Sequence, residues 1–206
     1  MKVDFGDKLY DAVSNGRGML FTQGEMANLT YMSYERFMQL INSEKNDIIP
    51  ISHPVGFRAD NTPINSTTEY SKPELISRYE YLGLTKLPID GIFQLVTIVE
   101  TLLNYIVKEI LIEFPAKIPN KRKMDVEIAL SAQSLEEIKL SIIETILNEI
   151  TYKSPKDYTD EFHKFTGLNL LEYPPYRKYI ELKATRDIHI HNGGITNDIY
   201  ISTKQV

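Results

Sequence analysis

The chain contains no cysteine. That excludes a disulfide framework and any thiol chemistry, and it fits the reducing cytoplasm expected as its location. Positive charge is not in excess either: 23 Lys and Arg stand against 28 Asp and Glu, a formal net charge of −5. With no global basic footprint, a nucleic-acid partner has to bind a local patch. The N-terminus, Met-Lys-Val-Asp-Phe-Gly-Asp-Lys, lacks the apolar core of a signal peptide. The most apolar stretch, from Asp90 to Phe114, carries Glu100, Lys108, Glu109 and Glu113, which argues against a membrane span. No internal repeat or low-complexity tract is present, and no cofactor is expected.

At 206 residues the chain is long enough to bury a real core. Its composition shifts near residue 73. Asp4 to Val13 reads as a short helix, broken by Asn15-Gly-Arg-Gly18. Thr30 to Asn42 carries Tyr31, Tyr34, Phe37, Met38 and Ile41 at helical spacing. Asn46 to Pro73 is polar and interrupted by Pro50, Pro54, Pro63 and Pro73, a spacing that admits no helix or central strand. It reads as a long loop, an arm over a neighbour or a cleft. Residues 1–73 are therefore expected as an irregular, loop-rich N-terminal extension and 74–206 as a helical bundle domain.

The bundle begins with helical character from Pro73 to Leu82. Next comes the Asp90–Phe114 element, with a stripe of Ile92, Leu95, Val96, Val99, Leu102, Leu103, Ile106, Val107, Ile110 and Leu111. Gln94, Glu100, Asn104 and Lys108 mark its wet side, although Glu100 and Asn104 also fit a polar spot in a cleft. About 25 residues at 1.5 Å each make a rod of about 37 Å. Lys117, Lys121, Arg122 and Lys123 follow as the densest basic run. They serve either as a soluble connector or as contacts to a phosphate backbone. Met124 to Ala132 reads as a short helix or ragged turn. Ser134 and Glu137 form a capping box ahead of a helix to about Tyr152, with Leu135, Ile138, Ile142, Ile146 and Ile150 on its apolar face. Ser154-Pro155 opens another helix, with Tyr158, Phe162 and Phe165 at helical spacing and Gly167 at its end; His163 is expected at its surface.

The segment Pro175 to His191 reads as the last long helix, with Tyr176, Tyr179, Ile180 and Ala184 packed inward and Gly193 just past the end. It holds the one cluster that reads as chemistry: Arg186, Asp187 and His191, with Asn192 and Lys183 beside them. His191 lies in the final turn, where unpartnered carbonyls favour a cation, and Asp187 one turn earlier faces the same way. At 100° per residue Asp187 and His191 are about 40° apart and Arg186 and His191 about 140°. Arg186 therefore has to bend to share a cleft with His191. His189 and His191 point to nearly opposite sides, which argues against a two-histidine metal site. Ile195 to Ile201 reads as a short closing helix or strand.

The order Arg186, a polar Asp187, three more positions and His191 at a helix end resembles the R-x-x-x-x-H pattern of the HEPN superfamily. It stands here as Arg186-Asp187-Ile188-His189-Ile190-His191, followed by Asn192-Gly193-Gly194. The resemblance covers about residues 74–200. It implies an all-α, HEPN-like antiparallel helical bundle that pairs into a homodimer. It also implies a metal-independent endoribonuclease of the toxin–antitoxin or phage-defence type, acting on RNA and held by an antitoxin or regulatory protein. The last element is shorter here than that pattern usually has.

RNA cleavage without a metal uses the ribose 2′-OH as nucleophile and needs a base, an acid and positive charge for the phosphorane. On this reading His191 moves protons and Arg186 clamps the phosphate with its planar fork. Asp187 orients one or the other, Asn192 donates to a phosphate oxygen, and Lys183 faces water or ligand. One His per chain supplies one proton-transfer group, so two helix ends face to face supply both. Two other readings stand beside this one. The first is a non-catalytic HEPN module that binds a nucleotide, a nucleotidyltransferase or another protein. The second is an ordinary Arg–Asp ion pair with His191 as a helix-end cap.

Overall fold

The computed structural model describes residues 4–120, 130 and 132–196, and these are mostly helical. The all-α class holds apart from one two-stranded sheet. Lys121, Arg122 and Lys123 of the basic run lie outside the described residues. So do most of the short helix expected over 124–132 and of the closing element expected over 195–201. Among the described residues no helix is long and apolar enough to cross a membrane.

Helix α1 runs without interruption over Phe5–Ser43, 39 residues. The break expected at Asn15-Gly-Arg-Gly18 does not occur. A helical glycine costs about 1 kcal/mol against alanine, which packing can outweigh. Gly16 shows how: it is buried, and a Cβ there would lie 3.0 Å from Leu102 Cδ2. The missing side chain lets α1 lie close against the helix carrying Leu102. Phe5 meets Phe114 edge-on at 5.6 Å, and Lys8 Nζ reaches Glu109 Oε2 at 3.1 Å. Partner numbers fall as α1 numbers rise, so the two helices run antiparallel.

The expected loop over 46–73 is instead a hairpin. Strand β1 (Ile48–Phe57) pairs antiparallel with β2 (Pro63–Ser71), from Ile48 opposite Ser71 to Phe57 opposite Pro63. The prolines disfavour a central strand, but in a two-stranded ribbon each strand has an outward edge where a missing N–H breaks no ladder. The register shifts between Pro54 and Gly56. The turn is closed by Asp60, whose Oδ1 accepts from Thr62 N and Oγ1 at 3.0 and 2.6 Å. Asn61 takes a left-handed φ of 64° there, which Asn tolerates better than most residues.

Ser71 then caps α2 (Lys72–Tyr79) through a reciprocal capping box with Glu74. A π-helical segment, Glu80–Lys86, leads straight into α3 (Leu87–Glu113). The wider turn precedes Pro88, whose ring would clash with the carbonyl four residues back in a regular α-helix. Phe37 of α1 stacks on Tyr79 at 4.1 Å, and Tyr34 donates to Glu80 at 2.7 Å. Tyr31, expected on the same face, is exposed.

Helices α4 (Leu135–Thr151), α5 (Pro155–Thr166) and α6 (Pro174–Asn192) complete the described chain. Val107 and Leu111 of α3 pack with Ile143, Ile146 and Ile150 of α4 and Phe162 and Phe165 of α5. Further along α3, Val96 packs with Tyr176, Tyr179 and Ile180 of α6. The apolar stripe read on α3 is thus the spine for both clusters. Leu135 is an exception to the expected α4 face: it lies in the first turn and is exposed. Ser134 accepts from Glu137 N as expected, but the Glu137 carboxylate takes the Gln133 N–H, one residue before the cap.

By contacts the chain divides into unit 1, Met1–Phe21 with Ile92–Val206, and unit 2, Thr22–Gly91. The boundary read at residues 73/74 falls inside unit 2. The residues of the candidate site described next all lie in unit 1.

Candidate functional site

Helix α6 starts on Pro174, where a missing N–H costs nothing, and stops on Gly193 at φ 59°. Gly194 follows at φ 85°, and its N–H donates to Ile188 O at 3.0 Å. These turns end the helix one residue past His191, within a residue of the bounds expected at each end. Tyr176, Tyr179, Ile180, Ala184 and Ile188 form its buried face.

One turn separates Lys183 from Arg186, and both side chains converge on Glu100 of α3. Arg186 Nη1 donates to Glu100 Oε2 at 3.0 Å and Nη2 to Oε1 at 3.3 Å. Lys183 Nζ also donates to Glu100 Oε1. Arg186 Nε donates to Asp187 Oδ1 at 2.9 Å. The Glu100, Lys183 and Arg186 side chains are only about a fifth exposed. Burial works against the Glu100 carboxylate, but the two cations outweigh it and hold its pKa below the ordinary carboxylate range. Arg186 is likewise opposed by burial, and Glu100 and Asp187 raise its pKa all the same.

Lys183, expected to face water or ligand, is therefore an ion-pair partner. Glu100 and Asn104, placed on the wet side of α3, are half-buried polar links. Asn104 donates to Thr151 Oγ1 at 3.0 Å and accepts from Tyr158 at 3.3 Å, tying α3 to α4 and α5. Between these groups lies a void of about 20 Å³, room for about one water. Its wall includes Glu100, Asn104, Lys153, Tyr158, Tyr176 and Lys183. Burial pushes the Tyr158 phenol above its ordinary value, with Tyr176 and Glu100 adding to it. Burial and then Glu100 do the same to Tyr179.

The other expected site residues stand apart from this cluster. His191 is exposed, and among the described residues no hydrogen bond joins it to Arg186 or Asp187. Asp187 turns to Arg186 rather than to His191. Asn192 is exposed too, and its amide donates to Ile195 O at 3.4 Å. His189 is half-buried beside Phe93, ring centres 6.3 Å apart. His163 is exposed on α5, as expected. Among the described residues no three His, Asp or Glu side chains gather as metal ligands would.

Glu100 is the residue that sequence reasoning underweighted. The signal was present: Glu100 and Asn104 are polar residues one turn apart on a helix that is otherwise heavily apolar. No family model matches the chain, and no curated protein or solved structure proves similar to it.

Proposed function

We propose that the C-terminal end of α6 is the working face of a metal-independent endoribonuclease of the HEPN type, on a HEPN-like antiparallel bundle. The observation that supports this best is the placing of Arg186 and His191 on one helix end. The Arg186 guanidinium is oriented by two carboxylates, and His191 stands exposed five residues on. In the reaction His191 takes the proton of the ribose 2′-OH or gives one to the leaving 5′-oxygen, and Arg186 bears the charge of the phosphorane. A second His191 from a homodimer supplies the other proton transfer. The test is cleavage of a labelled RNA in EDTA by wild type and His191→Ala, with the mass of each in solution. A wild-type dimer that cuts and a mutant dimer that does not support the reading; two folded dimers that both fail to cut speak against it.

One observation favours a second reading, a non-catalytic module that binds a nucleotide or a protein partner. Lys183 and Arg186 are matched by Glu100 and Asp187, so the cluster is neutral as it stands. A scaffold needs that pairing for packing alone. Retained dimerisation with no cleavage under any salt condition would favour it.

A further inference from the structure

We infer that Glu100 is a built-in competitor for a phosphate group at Lys183 and Arg186, holding this anion site shut. The inference rests on the phosphate-binding role given to Arg186 above and adds the residue that controls it.

A guanidinium has five N–H donors. Three of those on Arg186 are committed: Nη1 and Nη2 to Glu100 and Nε to Asp187. The Glu100 carboxylate takes the end-on fork. The two donors left over point to opposite edges of the plane, so they cannot grip one phosphate together. Bidentate phosphate binding therefore requires a carboxylate to leave.

Glu100 is the one that matters. It also takes Lys183, so its departure frees two cations at once, whereas Asp187 releases only Nε. A carboxylate and a phosphate present the same pair of acceptor oxygens to such a fork. Glu100 is thus the internal stand-in for the ligand. The surroundings fit an anion: Asn104 and Lys153 line the adjoining void with N–H donors beyond those given to Thr151 and Glu161, and the Tyr176 hydroxyl stands beside them. Glu100 is the one carboxylate on its wall among the described residues. An equilibrium that keeps the site shut reduces apparent affinity by the open fraction, so removing the carboxylate raises affinity by the inverse.

The experiment measures binding of a labelled 2′-O-methyl RNA oligonucleotide, which has no free 2′-OH and cannot be cut. Wild type, Glu100→Gln and Glu100→Asp are compared, with inorganic phosphate as competitor. Glu100→Gln is expected to lower the Kd at least about tenfold if the site is shut nine-tenths of the time or more. Glu100→Asp, one methylene shorter, shifts it the same way by less, and it decides the matter if circular dichroism shows the Gln variant unfolded. Tighter binding of inorganic phosphate without the oligonucleotide also supports the inference, with free phosphate as ligand. Unchanged or weaker binding of both probes by a folded variant overturns it. Cleavage of unmodified RNA by wild type is read separately. Tighter binding with no cleavage keeps Glu100 as competitor and sinks the ribonuclease reading; cleavage with unchanged binding does the reverse.

Discussion

Glu100 and Arg186, 86 residues apart in the chain, meet through two hydrogen bonds of 3.0 and 3.3 Å. The pair joins α3 to α6 at the level where the Val96–Tyr176–Tyr179–Ile180 cluster joins them by apolar contact. One contact thus carries two roles: it fixes α6 against the spine of the unit, and it sets which donors of Arg186 are free.

The structural role has a pH signature. The folded-state pKa of Glu100 is lowered from an unfolded value of about 4.3. Its contribution is therefore complete above that pH and is lost as pH falls through the folded value. Glu100→Gln is expected to destabilise the protein by about 1–3 kcal/mol at pH 7, the range for a charge-assisted hydrogen-bonded group. The gap between variant and wild type should narrow as the pH falls below the ordinary carboxylate range. Urea unfolding of both proteins at pH 7 and pH 3 measures it, and a gap that stays constant contradicts the assignment.

Two glycines of α1 should respond in opposite ways. A Cβ at Gly16 would lie only 3.0 Å from Leu102, closer than an ordinary van der Waals contact, whereas a Cβ at Gly24 meets nothing within 4 Å. Gly16→Val forces the two helices apart and should cost about 1–3 kcal/mol. Gly24→Ala, exposed and helical, should add up to about 1 kcal/mol by propensity alone. Thermal melts of the two variants against wild type give both signs. A neutral Gly16→Val would mean that α1 does not lie against α3 there.

Gly194 is held by two constraints at once. Its φ of 85° suits glycine, and a Cβ would sit 3.1 Å from the His189 ring. Gly194→Ala should cost about 1–2 kcal/mol from the left-handed backbone, before any displacement of His189 is added. The histidine C–H resonances of the variant should show His189 moving and His163, exposed on α5, unmoved. If both stay put and stability holds, the turn after α6 is not the one described.

Much of unit 1 is legible in the sequence because its signals are local. The apolar period of α3, the Ser134 and Ser154 caps and the Gly167 and Gly193 stops each need only a few neighbouring residues. What escapes is set by distant partners. Gly16 reads as a breaker until Leu102 is known to lie over it. The prolines of 46–73 read as loop until their strands turn out to have an outward edge. Glu100 reads as a solvated face residue until Lys183 and Arg186, more than 80 residues on, are brought against it. Helical spacing puts Lys183 and Arg186 one turn apart on α6, but no spacing rule could have supplied their counter-ion.

The last prediction separates chemistry from architecture at the end of α6. Arg186 is bonded to two carboxylates and mostly covered, while His191 is exposed and unbonded among the described residues. Arg186→Ala should therefore lose stability, by about 1–3 kcal/mol, because it strands Glu100 half-buried beside Lys183 alone. His191→Ala should change stability by no more than about 0.5 kcal/mol, as exposed substitutions do. Any loss of RNA cleavage in His191→Ala is then free of a folding explanation, and for a general acid–base residue it should amount to about 10²–10⁴-fold. Cleavage and urea unfolding of the same preparations decide it. If His191→Ala cuts as fast as wild type, proton transfer lies elsewhere and the helix end is only a cap. If Arg186→Ala is as stable as wild type, the bridge to Glu100 does not hold α6 in place.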